Sequence, residues 1–223
     1  MEYRHEWKIE INYADLLALR SRLRVIMDAD AHTVDGRYLI RSLYFDNPTD
    51  RALREKIDGV NRREKFRIRY YNGDTGFIRL EKKSKLNGLC NKQSEQITAE
   101  QVQAMIGGDV SWAPQNAPPL IQELYYKMTT EGLRPKVVVD YIREPFVYPA
   151  GNVRVTFDYG IRTGLRCTDF LGAGFVTIPA GDAPILMEVK WDAFLPDVIR
   201  DVIQIPGRRA SAFSKYAQCR IYG

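Results

Sequence analysis

Ionic side chains recur at every second position in one segment of the chain after another. Arg67 and Arg69 are spaced by two, as are Arg79, Glu81 and Lys83, then Tyr141 and Arg143, then Arg154, Thr156 and Asp158, then Glu188 and Lys190. Glu6, Lys8 and Glu10 open the chain in the same way, and two isolated cations, Lys92 and Lys215, complete the set. Residues two apart in a strand point to one side of the sheet. Each segment therefore presents an ionic face and sends Val153, Val155 and Phe157, or Ile185, Met187 and Val189, to the other side. A single strand of this kind is ordinary in a sheet with one wet face. Several together leave many apolar faces to cover, and helices can cover them from outside only if the ionic faces turn inward. Two cations about 7 Å apart repel by roughly 2 kcal/mol at an effective dielectric near 20, so several such pairs would rival the ~5–15 kcal/mol stability of a domain. An inward-facing set rich in lysine and arginine thus calls for a highly charged anionic guest such as a polyphosphate.

The residue types say what such a guest would meet. Guanidinium forks donate two parallel bonds to phosphate oxygens, and lysine adds compact charge. Glutamate among phosphate-binding cations suits Mg²⁺ or Mn²⁺, which take oxygen ligands. Glu188 is the first choice of ligand, whereas Glu6 and Glu81 are expected to serve as ion-pair partners. There is no GxxxxGK[ST] loop, so a nucleoside triphosphate would be held by side chains. His5 and His32 lack metal-ligand spacing and read as surface residues. Tyr70-Tyr71 and Tyr125-Tyr126 could stack on bases but read more readily as core.

The elements that would position these groups follow from periodicity. Strands are expected at 3–12, 38–46, 64–71, 76–83, 136–146, 152–159, 174–178 and 185–191, with a hairpin at Asn72-Gly73-Asp74. Helices are expected at 14–27, with Leu16, Leu19, Leu23 and Ile26 on one stripe, and at 48–58, opened by Asn47 and Pro48. Others are expected at 98–107, where Thr98 and Gln101 form a capping box, and at 120–131, 197–205 and 211–220. The stretch 113–119 reads as a loop. At 223 residues and 45% apolar content the chain reads as one domain spanning 1–223. Its 33 basic against 28 acidic residues give +5, too small an excess to argue for nucleic-acid binding. Cys90, Cys167 and Cys219 fit neither a disulfide framework nor a zinc cluster, and a cytoplasmic setting is expected. No stretch approaches the ~18 apolar residues of a membrane span, and no signal peptide is expected.

Certain blocks carry a resemblance: Arg4-x-Glu6-x-Lys8, Ser42-Leu43-Tyr44-Phe45-Asp46, Arg67-Ile68-Arg69-Tyr70-Tyr71, Leu80-Glu81-x-Lys83, Tyr141-x-Arg143, Arg154-Val155-Thr156-x-Asp158, Met187-Glu188-Val189-Lys190 and Phe213-Ser214-Lys215-Tyr216. In this order they resemble the VTC domain, the polyphosphate polymerase module of the vacuolar transporter chaperone complex and of bacterial stand-alone proteins, among the triphosphate tunnel metalloenzymes. The resemblance implies an α+β fold: a closed antiparallel eight-stranded β-barrel forming a tunnel, with helices packed outside. It implies a phosphotransferase that adds the γ-phosphoryl group of ATP to polyphosphate with Mn²⁺ or Mg²⁺. By the same resemblance Arg67, Arg69, Lys83, Arg143, Arg154 and Lys215 are the catalytic positions. Lys8, Lys92, Tyr141 and Ser214 are further phosphate contacts, and Glu188 is the metal ligand. ATP and polyphosphate are the implied partners; nucleic acid is not expected, and a membrane-protein partner stays open.

Two departures matter. The inositol-phosphate-sensing SPX domain and the membrane segment that flank the best-known members are not in this sequence. Ala212 also stands where those members tend to have a further lysine, with Arg208 or Arg209 as substitutes. Related hydrolases and cyclases usually begin Glu-x-Glu-x-Lys, whereas Glu6-Trp7-Lys8-Ile9-Glu10 orders the charges differently, which favours a polymerase. A triphosphatase of the same fold, a non-catalytic polyphosphate sensor and a single-stranded nucleic-acid binder remain the alternatives.

Overall fold

Alternation of apolar and ionic residues produces strands where it is strongest, and the polar loops between them turn sharply. In chain order the elements are β1 (His5–Ile11), α1 (Tyr13–Ile26), β2 (Asp28–Ala29), β3 (Tyr38–Asp46), α2 (Arg51–Ile57), β4 (Arg63–Tyr71), β5 (Asp74–Leu86) and β6 (Leu89–Ile97). They continue with α3 (Ala99–Ile106), α4 (Pro119–Thr130), β7 (Arg134–Tyr148), β8 (Val153–Thr163), β9 (Ile178–Pro179), β10 (Ile185–Trp191), α5 (Asp197–Val202) and α6 (Lys215–Cys219). The computed structural model describes residues 3–109, 111–113, 116–172, 174–182 and 184–221; two positions of the 113–119 loop, Pro114 and Gln115, lie outside them.

The strands form one antiparallel sheet in the order β1-β10-β8-β7-β3-β4-β5-β6, with β2 beside β7 and β9 beside β8. Both hairpins in the β4-β5-β6 run are asparagine-glycine turns with positive φ at each residue: 52° and 77° at Asn72-Gly73, 50° and 82° at Asn87-Gly88. That backbone twist matches the twist of the flanking strands. The second turn creates β6, a strand the periodicity does not predict because Asn91 to Gln96 is polar throughout. The expected strand at 174–178 is replaced by the two-residue β9, and Phe175 packs instead beneath the Arg41 guanidinium, 5.0 Å from its ring.

The expectation of a closed eight-stranded barrel is corrected by the sheet itself. Its end strands meet at one bridged pair, where Arg4 N donates to Cys90 O at 2.9 Å and Cys90 N to Arg4 O at 3.0 Å. No ladder continues from that pair among the described residues, so the sheet is a curled half-barrel clasped at one point.

Helices cover the convex face, as the apolar alternation demands. Leu43, Ile68, Ile78 and Leu80 pack with Val102 and Met105 of α3 and Leu124 and Met128 of α4. Val155, Phe157, Met187 and Val189 pack with Leu16, Leu19 and Leu23 of α1 and Ile199 of α5. Each such burial is worth about 1.5–3 kcal/mol. The last helix departs from the expected arrangement. Tyr216 and Cys219 of α6 pack on Tyr44, Val137, Val139 and Ile161, which project to the concave side, so α6 lies inside the curl.

Three helix boundaries differ from expectation. At α2 the helix starts at Arg51 because the Asp46 carboxylate, at the end of β3, accepts from Ala52 N at 2.9 Å and Leu53 N at 3.1 Å. Asn47 Oδ1 accepts from Arg51 N at 2.9 Å, so it caps the turn from further off than expected. The chain after α5 leaves the helix at Val202, short of the expected 205. It then runs along β1, where Ser211 N donates to Lys8 O at 2.7 Å, and α6 begins only at Lys215.

Candidate active site

The concave face encloses a cavity of about 520 Å³. Lys8, Arg67, Arg69, Lys83, Lys92, Tyr141, Arg143, Arg154, Glu188, Ser214 and Lys215 all line it. Strand register explains the convergence. Arg67 stands opposite Tyr44 on β3 and Glu81 on β5, Lys83 opposite Lys65 and Lys92, Lys8 opposite Glu188, and Arg143 opposite Asp158. Ser214 caps α6 through its Oγ, which accepts from Ala217 N at 3.3 Å, and so aims Lys215 at Asp158.

Each carboxylate is a hub for several cations. Arg67 Nε donates to Glu81 Oε2 at 2.8 Å, Lys92 Nζ to Oε1 at 3.2 Å, and Arg69 Nη1 stands 3.8 Å away. Arg69 is 2% exposed and also donates to Ser42 Oγ at 3.1 Å and Tyr141 OH at 2.7 Å. Arg143 grips Asp158 with two bonds of 2.6 and 2.7 Å, and Lys215 Nζ lies 2.5 Å from the same carboxylate. Glu188 faces Arg143 and Lys190 at 3.2 Å each and Lys8 at 3.7 Å, while Glu6 takes Lys83 at 2.6 Å and Lys8 at 3.3 Å. Glu6 and Glu81 thus make the ion pairs expected of them, and Glu188 makes them as well.

Burial alone would push these carboxyl groups up, but the surrounding cations outweigh it. Glu6, raised by burial and by Glu188, is nevertheless held at about 2 by Lys83, Lys8 and Lys190. Asp158 is likewise buried yet held at about 2 by Arg143 and Lys215. Glu81 and Glu188 lie well below the ordinary carboxylate value for the same reason. All four are charged at neutral pH. Even so, eleven lysine and arginine side chains line the cavity, and with Asp158, Asp30 and Asp192 added to its three glutamates the cations still outnumber the acids that pair with them. Two buried groups on the inner face of β8, Arg154 Nε and Thr156 Oγ1, have no hydrogen-bond partner among the described residues. Unsatisfied buried groups point to an absent ligand or water.

Some cavity groups fall outside the expected set. Lys65 continues the Arg67-Arg69 row by two residues, so period two alone could have found it, whereas Lys190 was read on the ionic face with Glu188 but not as a phosphate-binding position. Burial lowers Lys65 to about 7 and Lys190 to about 8. Tyr44, whose OH accepts from Arg67 Nη1 at 2.9 Å, joins the site through register, which the sequence does not display. Arg154 sits at the rim, paired with Asp30 at 2.8 Å. Lys92 is the most open of the expected residues, with its side chain 57% exposed. Arg208 does not replace the lysine missing at Ala212, because it pairs with Asp15 of α1 at 2.7 Å; Lys56 of α2 reaches Ala212 O at 3.2 Å instead.

No trio of His, Cys, Asp or Glu among the described residues could hold a metal by protein ligands alone. Mg²⁺ is commonly held by one or two carboxylates together with substrate phosphates, and Glu188 with its neighbour Glu6 matches that donor chemistry.

A curled antiparallel sheet with a cationic cavity on its concave face defines the triphosphate tunnel proteins. The chain belongs to the VTC domain family, whose model matches residues 3–222. Its fold is similar to that of an adenylyl cyclase candidate from Hippeastrum with a dominant triphosphatase activity: 14% identity, 98% of this chain and 95% of that one covered, TM-score 0.60. It is also similar to a candidate adenylate cyclase from Bacillus halodurans, at 12% identity over 85% of this chain and 80% of that one, TM-score 0.53. At such identities the likeness is one of fold. No curated protein matches the sequence.

Proposed function

We propose that this protein is an ATP-polyphosphate phosphotransferase, with Arg67, Arg69, Lys83, Arg143, Arg154 and Lys215 acting on the transferred phosphoryl group. Lys8, Lys92, Tyr141 and Ser214 position the phosphate chain. The excess of cations over glutamates around one concave cavity carries this reading. Phosphoryl transfer spreads charge over the equatorial oxygens, and catalysis is mostly positioning and neutralisation. Guanidinium groups fixed by Ser42, Tyr141 and Asp158 are already oriented for that task. The terminal phosphate of a polymer is already an anion at neutral pH, so it can attack without a general base. A water acceptor needs one, and carboxylates held well below the ordinary carboxylate range by surrounding cations are poor candidates.

Glu188, with Glu6, would hold Mn²⁺ or Mg²⁺, which would neutralise charge between the phosphates. No helix among the described residues is long and apolar enough to cross a membrane. The three cysteines are free, as a cytoplasmic setting would leave them.

Hydrolysis of a triphosphate is the second reading, favoured by the activity stated for the Hippeastrum protein. Incubation with ATP and Mn²⁺ or Mg²⁺, followed by polyphosphate staining on gels and a free-phosphate assay, separates the two. Polymer together with ADP is the expected outcome. Free phosphate without polymer selects hydrolysis, and intact ATP with tight polyphosphate binding selects a sensor.

A further inference from the structure

We infer that the cavity continues, on its α2 side, into a second anion-binding track formed by Lys56, Arg63, Lys65 and Lys85, and that this track holds the polyphosphate segment lying outside the cavity. The inference rests on the function proposed above and extends it from the reacting phosphates to the rest of the chain.

The path is visible as a series of connected spaces. A narrow passage of about 100 Å³ shares Glu6, Lys8, Lys65 and Lys83 with the main cavity, and Lys56, Arg63 and Lys85 line it further out. The last three also line an open groove of about 690 Å³ beyond it. Lys65 borders the cavity, the passage and a second outer groove of about 760 Å³, so it stands where the spaces join. Pockets for drug-sized ligands measure ~300–1,000 Å³, and the passage is well below that. A single file of phosphates suits it better than a nucleoside.

Charge balance marks the occupant. Inside the cavity, Lys8, Lys83, Lys190, Lys92, Lys215, Arg67, Arg69, Arg143 and Arg154 each have a carboxylate within 4.0 Å. Among the described residues Lys56, Arg63, Lys65 and Lys85 have none. Lys56 donates to Ala212 O, Arg63 to Val60 O, and Lys65 lies 5.3 Å above the Tyr44 ring. The two acids that line the passage are taken: Glu6 by Lys83, and Glu64 by Lys127 at 2.7 Å and Lys82 at 3.0 Å. Mutual repulsion is felt, since burial and then Arg63, Lys8 and Lys85 lower Lys56. Around Lys65, burial, Lys8, Lys83 and Arg67 act in the same direction, and Tyr44 opposes them. Four basic side chains converging on one passage with no carboxylate partner among the described residues are relieved by an anion that threads it.

The test compares guests of different length on the full chain. The variant combining Lys56→Gln, Arg63→Gln and Lys85→Gln keeps the side-chain stems and leaves the cavity residues in place. Titration with long-chain polyphosphate is expected to show at least ~10-fold weaker binding and a log–log salt slope shallower by roughly 2, by analogy with ~0.7 per neutralised charge on single strands. Tripolyphosphate binding should be unchanged, which also reports an intact cavity. Equal losses for both guests, or no loss for the long chain, would overturn the inference. A loss confined to ATP would assign the track to the nucleotide end and overturn it too. If the wild-type protein binds neither polyphosphate, the proposed function itself fails and the track fails with it.

Discussion

Arg69 shows what a cavity cation needs in order to act on a guest. It is almost fully enclosed, and Ser42, Tyr141 and Glu81 hold its fork in one orientation. Removing one preorganised donor typically costs ~10²–10³ in turnover. Arg69→Ala is therefore expected to lower kcat by at least that factor while circular dichroism stays native, because Glu81 retains Arg67 and Lys92. Glu188→Gln should behave differently, since it leaves Lys8, Lys83, Arg143 and Lys190 facing one another. Breaking a buried pair costs about 3–5 kcal/mol, so the free variant should melt early and be partly rescued by tripolyphosphate; an unshifted melting curve would count against the hub.

Titration gives two signs at the same scale. Asp158 is held at about 2 against an ordinary 3.8, so its contribution to stability is full above the ordinary value and is lost as pH falls from there towards 2. Lys65 is depressed to about 7 against an ordinary 10.5, so the unfolded chain binds more protons between those values and stability rises with pH across that window. Lys65→Met should flatten that rise in denaturant titrations at pH 7 to 10. The row of ionic residues was legible in the sequence through its period of two. The pairings of Arg67 with Tyr44 and of Arg143 with Asp158 were not, because cross-strand pairing depends on register between distant segments.

At the level of elements, turns and caps were the most readable features. Thr98 and Gln101 form the expected capping box, and Asn72-Gly73 forms the expected hairpin. Asn87-Gly88 carried the same signal for β6, a strand whose polar residues give periodicity nothing to detect. The concave placement of α6 was not legible, because an amphipathic helix does not declare which side of a sheet it will cover. Tyr216 fixes that choice: it stacks on Tyr44 at 5.2 Å, and its OH donates to Asp46 Oδ2 at 2.7 Å. Tyr216→Ala should cost about 3–5 kcal/mol by chemical denaturation and should also weaken tripolyphosphate binding, since Lys215 depends on the helix. Loss of stability with full binding would separate α6 from the site.

For the molecule as a whole, the α+β class and the inward turn of the ionic faces follow from covering so many apolar strand faces. Closure does not follow from periodicity, and the sheet stays a half-barrel held by the Arg4–Cys90 bridge. What unites the three scales is a positive interior that the protein's own carboxylates only partly balance. A crystal structure with long-chain polyphosphate bound tests this most directly. It should show phosphates threaded between Arg67, Arg69, Arg143 and Lys215; phosphates bound only on the convex surface, with the cavity holding water at saturating polymer, would contradict it.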